Sequence, residues 1–208
     1  WRVLDKKDVE ILLLSEYGLD AQPFDTSGKS RVDWKDSTIR KWLNDDFYNS
    51  AFSEKEKENI VESKSEGFEE YNTSMNLTGG GKPYAYLERE IEDKVFLLSN
   101  TELCAYFSED PYPGCYSDPY AHKELLCYPT AYAKQQLETR YQTETCGWWL
   151  CNHVYEDDSV ELVSAYGQGS GTSRENIKAN TKSIAVRPAM WVTWQSDMEM
   201  VEANQQVE

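Results

Sequence analysis

The residues that could do chemistry in this chain are few. There are five cysteines (104, 115, 127, 146 and 151) and two histidines, His122 and His153. On an extended strand Cys151 and His153, at i and i+2, would share a face, so a thiol–imidazole pair for nucleophilic catalysis is geometrically allowed. No orienting acid or oxyanion donor accompanies them in the sequence, and catalytic residues are assigned to none of these positions. An odd cysteine count leaves at least one thiol unpaired in a monomer. Cys115 and Cys127 could bridge a loop, which spacing does not decide. Neither histidine has zinc-ligand spacing, and no metal or cofactor site is assigned. Glu156-Asp157-Asp158 offers carboxylates to a hard cation, but matches no EF-hand register and reads better as a solvated acidic loop. Gly79-Gly80-Gly81-Lys82 lacks the first glycine and the following Ser or Thr of a phosphate loop, and reads as a flexible loop. Asn72-Thr73-Ser74 and Asn76-Leu77-Thr78 fit the glycosylation sequon, which means little if the source is bacterial.

What must position such residues lies toward the end of the chain. Cys146-Gly147-Trp148-Trp149-Leu150-Cys151 and Ile184 to Val192 are apolar and aromatic. Between them lie about thirty mostly polar residues with little periodicity. A rigid frame that presents an adaptable surface is built this way. Trp148, Trp149 and Trp191 are expected in the scaffold. Arg187, inside an apolar strand, is expected to tie loop carbonyls or a carboxylate to the sheet.

Composition bounds the partners. The chain has 208 residues, 39% of them apolar and 13% aromatic, with 7 Trp and 14 Tyr. That is enough for a real core in a single domain, taken as 1–195, followed by a polar acidic tail over 196–208. A net charge of −16 argues against nucleic acid or an anionic membrane, since both need clustered Lys and Arg. No apolar run is long enough for a membrane-spanning helix. The chain opens at Trp1 without Met, which reads as a piece of something longer.

In order, Val3-Leu4 and Val9 to Ser15 predict a hairpin about a polar turn at Asp5 to Asp8, and 16–33 a long loop. Asp36-Ser37 caps a helix with Ile39, Trp42 and Leu43 on one face, Trp42 in the core. Ser53 to Glu56 and Ser99 to Glu102 are capping boxes. Ile60-Val61, 94–99, Trp148-Trp149, 160–163 and 184–194 predict strands. Thr130 caps a short helix. Residues 108–128, with Tyr112, Tyr116, Tyr120 and Tyr128, predict a long aromatic loop. Short strands, few helices and no βαβ alternation give an α+β class with much irregular structure.

Several segments, in order, resemble the bacterial domain-of-unknown-function family 6273. They include Leu13-Leu14-Ser15-Glu16-Tyr17-Gly18-Leu19-Asp20, Ser37-Thr38-Ile39-Arg40-Lys41-Trp42-Leu43-Asn44, Phe47 to Ser53, Lys94 to Ser99, Gly147-Trp148-Trp149-Leu150 and Val186-Arg187-Pro188-Ala189-Met190. The Trp-Trp-Leu and Val-Arg-Pro-Ala ends look like those of C-type-lectin-like and formylglycine-generating-enzyme-like folds. Some members resemble variable proteins of diversity-generating retroelements, in which adenine-directed mutagenesis rewrites surface residues near the C-terminus. Here Cys151 stands where the family usually has Arg. The tract from Asn152 onward is less Asn-rich than is common, although its residues are reachable from Asn codons by changing adenines.

The resemblance implies a compact C-type-lectin-like domain, displayed at a cell surface or on a phage particle, that binds a protein or glycan without catalysis. The ligand-binding residues it points to lie in 151–182: Cys151, Asn152, His153, Tyr155, Asp157, Asp158, Tyr166, Gln168, Ser170, Thr172, Ser173, Arg174, Asn176, Lys178 and Asn180. Adaptable polar and aromatic side chains suit such a surface. The carbohydrate-site motifs of calcium-dependent lectins are absent, Trp42-Leu43-Asn44-Asp45 being a loose echo. A formylglycine-generating-type oxidase would need a reactive, partly exposed cysteine, and the spacing of Cys146 and Cys151 gives no reason for a copper-holding pair. A structural or assembly domain of a larger surface or phage protein is the third reading.

Overall fold

The computed structural model describes residues 1–29, 32–64, 91–107, 123–138, 143–153, 160–168 and 177–194. Strands β1 (Arg2–Lys7) and β2 (Glu10–Leu14) form an antiparallel hairpin with Lys7 opposite Glu10. The turn is tighter than the polar run Asp5 to Asp8 suggests, because β1 continues through Lys7. Asp8 closes it at φ +50°, a left-handed conformation that a short polar side chain tolerates. The register slips between Val3 and Asp5. A bulge and exposed charges on this outer strand discourage further pairing at the sheet edge.

The other neighbour of β2 comes from the far end of the chain. Strand β10 (Ala189–Thr193) runs antiparallel to it, Ala189 opposite Leu14 and Thr193 opposite Glu10. Strand β4 (Ile60–Val61) completes a four-stranded sheet of order β1-β2-β10-β4. Leu12 and Leu14 are fully buried beneath it.

A helical run over 38–51 shares that core. Its first part, α1 (Thr38–Trp42), starts at Ser37, whose Oγ accepts the Arg40 N–H at 3.3 Å. A π turn at Leu43–Phe47 leads into α2 (Tyr48–Ala51). Ile39 and Leu43 are buried, whereas Trp42 is half-buried and packs against Phe47. Helix α3 (Glu54–Lys57) begins with the expected capping box, Ser53 N–H donating to Glu56 Oε2 at 2.7 Å. The short β5 (Ser63–Lys64) then pairs with β6 (Glu92–Asp93).

Residues 94–99 are not a regular strand. Val95, Phe96, Leu97 and Leu98 are all buried, and the backbone divides its bonds among several partners. Phe96 exchanges both hydrogen bonds with Ala189, and the Leu98 carbonyl accepts from Cys151 N–H. A continuous apolar run is wedged between layers here instead of lying within one sheet. Helix α4 (Asn100–Phe107) follows the second capping box, Ser99 N–H donating to Glu102 Oε2 at 2.7 Å. Strand β7 (Tyr128–Pro129) lies parallel to β3 (Tyr17–Gly18) within the long loop after the hairpin. Thr130 caps α5 (Ala131–Gln136), its Oγ1 accepting from Ala133 N–H at 3.1 Å. Strands β8 (Trp148–His153) and β9 (Val160–Val163) form a second antiparallel pair. The class is α+β, with short helices and several small sheets.

Candidate functional site

The frame is built outward from β8. Trp148, Trp149 and Leu150 are fully buried, and both indoles are held as polar groups as well as apolar ones. Trp148 Nε1 donates to the Leu125 carbonyl at 3.1 Å and Trp149 Nε1 to the Gln22 carbonyl at 3.0 Å. Phe24 stands edge-on to Trp149 at 6.0 Å between ring centres, a favourable geometry for the ring quadrupoles. Residues 184–187 lie alongside: Ala185 N–H donates to the Gly147 carbonyl and Trp149 N–H to the Ala185 carbonyl. A side chain at Gly147 would meet the Val163 carbonyl at 3.0 Å, so glycine lets the strands close. Trp191 is partly buried on β10 and lies 5.1 Å beneath Lys7 Nζ.

Arg187 is fully buried. Its Nε donates to the Ser15 carbonyl at 2.8 Å, and its guanidinium stacks on Trp148 with Cζ 4.9 Å from the ring centre. This joins β8 to the end of β2. Both Nη atoms are buried with no hydrogen-bond partner among the described residues. Burial pulls the Arg187 pKa below its usual value, and Cys127 is the foremost group opposing that shift.

Among the ligand-binding residues picked out by sequence, Cys151 and Asn152 belong to the interior. Cys151 is 5% exposed, and burial, reinforced by Glu102 and Glu161, pushes its thiol well above the usual range. Asn152 Oδ1 accepts the Asn100 backbone N–H at 2.7 Å, while Asn100 Nδ2 donates to Glu161 Oε2 at 2.9 Å. Glu161 is buried and its pKa is raised by desolvation, against the bond from Asn100. These residues fasten α4 to the β8–β9 pair.

Tyr166, in contrast, is 59% exposed. It sits on a turn where Ser164 N–H donates to the Gln168 carbonyl and Ser164 Oγ accepts from Gln168 N–H, with Gly167 at φ +74°. Gln168 is partly buried. Lys178 and Asn180 are exposed on a second turn, closed by Thr181 N–H to the Lys178 carbonyl and anchored where Asp25 N–H donates to the Ala179 carbonyl. Tyr155, Asp157, Asp158, Ser170, Thr172, Ser173, Arg174 and Asn176 lie outside the described residues, as does the side chain of His153. So do Glu156, Gly79 to Lys82, Cys115, His122, most of the tyrosine-rich loop and the tail from 196.

Two clusters had no sequence signal strong enough to find them. Trp34 Nε1, Arg40 Nε and Asn44 Nδ2 all converge on the Asp93 carboxylate, at 2.8, 2.7 and 3.1 Å. Asn44 Oδ1 also accepts the backbone N–H groups of Lys94 and Val95. The Ser37-to-Asn44 motif is therefore structural, placing a cap, a guanidinium and an amide on one helix to hold the 92–95 segment. The second cluster is Cys127 with Cys146. Cys146 N–H donates to the Cys127 carbonyl at 2.8 Å, the Cys146 thiol reaches the same carbonyl at 3.5 Å, and both buried Sγ atoms face Gly18. Cys127 is pulled below the usual thiol range, foremost by the Cys146 thiol and also by Arg187. Cys146 is correspondingly raised, foremost by its bond to Cys127. Nothing in the spacing of these cysteines announces the pair.

No group of three or more metal-ligating side chains occurs among the described residues, and none of their helices is long and apolar enough to cross a membrane. No curated protein and no solved structure matches this chain. One family profile does, over residues 8–194, and the chain belongs to that family, described as Domain of unknown function (DUF6273).

Proposed function

We propose that this chain is a non-catalytic ligand-binding module of C-type-lectin-like architecture, displaying the loop-rich side of residues 153–182 to a protein or glycan. One observation carries the reading, namely the contrast between frame and tract. Residues 146–152, 160–163 and 184–190 are buried without interruption, whereas Tyr166, Lys178 and Asn180 between them are exposed on anchored turns. A tyrosine on a fixed turn supplies contact area at low entropic cost, and lysine and asparagine supply adaptable hydrogen bonds. Pairing of the first strands with the last, in the order β1-β2-β10-β4, suits a domain whose two ends meet and whose variable loops emerge elsewhere. The interior positions of Cys151 and Asn152 move the start of the display past them.

The oxidase reading needs a partly exposed thiol, and the three described cysteines, Cys127, Cys146 and Cys151, are buried. As a variable protein of a diversity-generating retroelement, the chain would be encoded beside a reverse transcriptase and a near-copy of the segment for 146–190. Binding is tested on glycan arrays and displayed-protein libraries, comparing the chain with a Tyr166→Ala, Lys178→Ala, Asn180→Ala triple variant. The triple variant should lose at least tenfold in affinity for any ligand found. Equal binding by both would place the site elsewhere and sink this assignment.

A further inference from the structure

The Cys127–Cys146 pair and Arg187 are not used by a binding surface at 153–182, and a role for them is independent of that surface. A guanidinium removed from water is costly unless an anion meets it. Arg187 is 0% exposed, and among the described residues neither Nη atom has a hydrogen-bond partner. Glu16, a carboxylate whose charge acts on it, is already bound by Arg2 through two hydrogen bonds, at 2.8 and 3.2 Å. The thiols of Cys127 and Cys146 are also near enough to act on its charge. Cys127 and Cys146 are 1% and 4% exposed. Their backbones are directly hydrogen-bonded, and their Sγ atoms lie within 3.6 and 3.2 Å of one point above Gly18. A disulfide requires Cβ atoms about 3.5–4.5 Å apart, and a direct backbone hydrogen bond places these two cysteines side by side for that approach.

We propose that Cys127 and Cys146 are a reversible disulfide site for a peroxide-class oxidant, with Cys127 as the attacked thiolate and Arg187 as its buried counter-ion. A thiolate at Cys127 supplies the anion that Arg187 lacks, while the Cys146 thiol, beside it, donates to the Cys127 carbonyl at 3.5 Å. Cys127 is 1% exposed, so the reaction runs through a local opening of the fold, which a molecule as small as hydrogen peroxide can use where a peptide substrate could not. The Cys127 thiolate attacks one peroxide oxygen, the O–O bond breaks, and the leaving hydroxide takes a proton to become water. Cys146 then loses its proton and attacks the Cys127 sulfenic sulfur. The S–S bond forms, the S–O bond breaks, and the expelled hydroxide leaves as a second water. Two thiols are oxidised to one disulfide and one peroxide is reduced to two waters. Oxidation leaves Arg187 without its anion, so the disulfide is of the labile kind whose reduced form is favoured.

The test treats the whole chain with equimolar hydrogen peroxide, blocks remaining thiols, digests without reduction and maps the five cysteines. The expected product is a cross-link between the peptides of Cys127 and Cys146, reopened by millimolar glutathione. Cys146→Ser should stop at a sulfenic acid on Cys127, captured by a dimedone-type reagent. Arg187→Met should slow oxidation by roughly tenfold, by weakening the thiolate, and Arg187→Lys should restore part of the rate. A failure of the Arg187 variants to fold leaves the mapping and Cys146→Ser to decide. Recovery of Cys127 and Cys146 as free thiols while another cysteine oxidises would overturn the proposal. So would trapping of the sulfenic acid anywhere but Cys127.

Discussion

Arg40 Nε and Asp93 Oδ1 stand 2.7 Å apart across 53 residues of chain, with Asp93 almost wholly buried and Arg40 about a quarter exposed. The pair fixes the helix at 38–51 against the 92–95 segment, and Trp34 and Asn44 add two more donors to the same carboxylate. Asp93→Ala removes the acceptor of Trp34 Nε1 and Arg40 Nε, while Asn44 Nδ2 keeps the Arg40 and Val95 carbonyls. It should cost about 3 kcal/mol, as breaking a buried pair from one side does, read as a shift in urea midpoint without a change in slope. Arg40→Ala should cost less, because water can reach the vacated side.

The same carboxylate sets a pH dependence. Burial raises the Asp93 pKa despite its partners, and burial also raises Glu102 and Glu161. A carboxyl whose folded pKa exceeds its unfolded value binds more protons in the native state, so stability falls as pH rises through that interval. The surface pair of Arg2 with Glu16, which lowers the Glu16 pKa, works in the opposite sense but is screened by solvent. A net charge of −16 adds self-repulsion at neutral pH. Thermal midpoints should therefore rise from pH 7 toward about pH 5, above the unfolded carboxyl range. Glu161→Gln should flatten the slope, since the amide keeps the Asn100 contact without a charge. A midpoint that falls steadily over this interval would refute the assignment.

Gly18 is a spacing residue. A Cβ there would stand 2.8 Å from Ala185 Cβ and 3.2 Å from Cys146 Sγ. β3 therefore approaches the Ala185 segment only because position 18 has no side chain. Gly18→Ala should cost about 1–3 kcal/mol by overpacking. It should also perturb thiol reactivity at Cys127 and Cys146 without touching Tyr166. Gly28, whose Cβ would meet nothing within 4 Å, has a positive φ of 75°, so alanine there strains the backbone without a clash.

Local rules are legible wherever one segment decides its own structure. Ser37, Ser53, Ser99 and Thr130 start helices because each side chain answers a nearby backbone N–H, a relation contained in a few consecutive residues. The buried frame at Trp148–Leu150 and Val186–Arg187 is legible for the same reason, from continuous apolar character. The segment 94–99 reads as a strand and is not one, because apolarity reports burial and not which neighbour takes each hydrogen bond. Cys127 with Cys146, and Arg40 with Asp93, are joined only by the fold, so no spacing reveals them. Asn152 marks a different limit. A polar residue at a strand end reads as surface, yet here its amide is consumed by the backbone of Asn100.

The burial of Asn152 divides the residues selected as a binding surface into two experimentally separable groups. Asn152→Ala removes the acceptor of the buried Asn100 N–H, and an orphaned buried donor costs about 1–3 kcal/mol. Its unfolding midpoint should drop accordingly. Tyr166→Ala, Lys178→Ala and Asn180→Ala truncate exposed side chains on turns whose described hydrogen bonds are made by the backbone and by Ser164. Each should stay within about 0.5 kcal/mol of the parent. Denaturant titrations of the four variants decide the matter. If Tyr166→Ala proves as costly as Asn152→Ala, the 164–168 turn is part of the core and cannot serve as a free display surface. If only Asn152→Ala is costly, the frame ends at Asn152, and sequence change beyond it is available for ligand recognition at little expense to the fold.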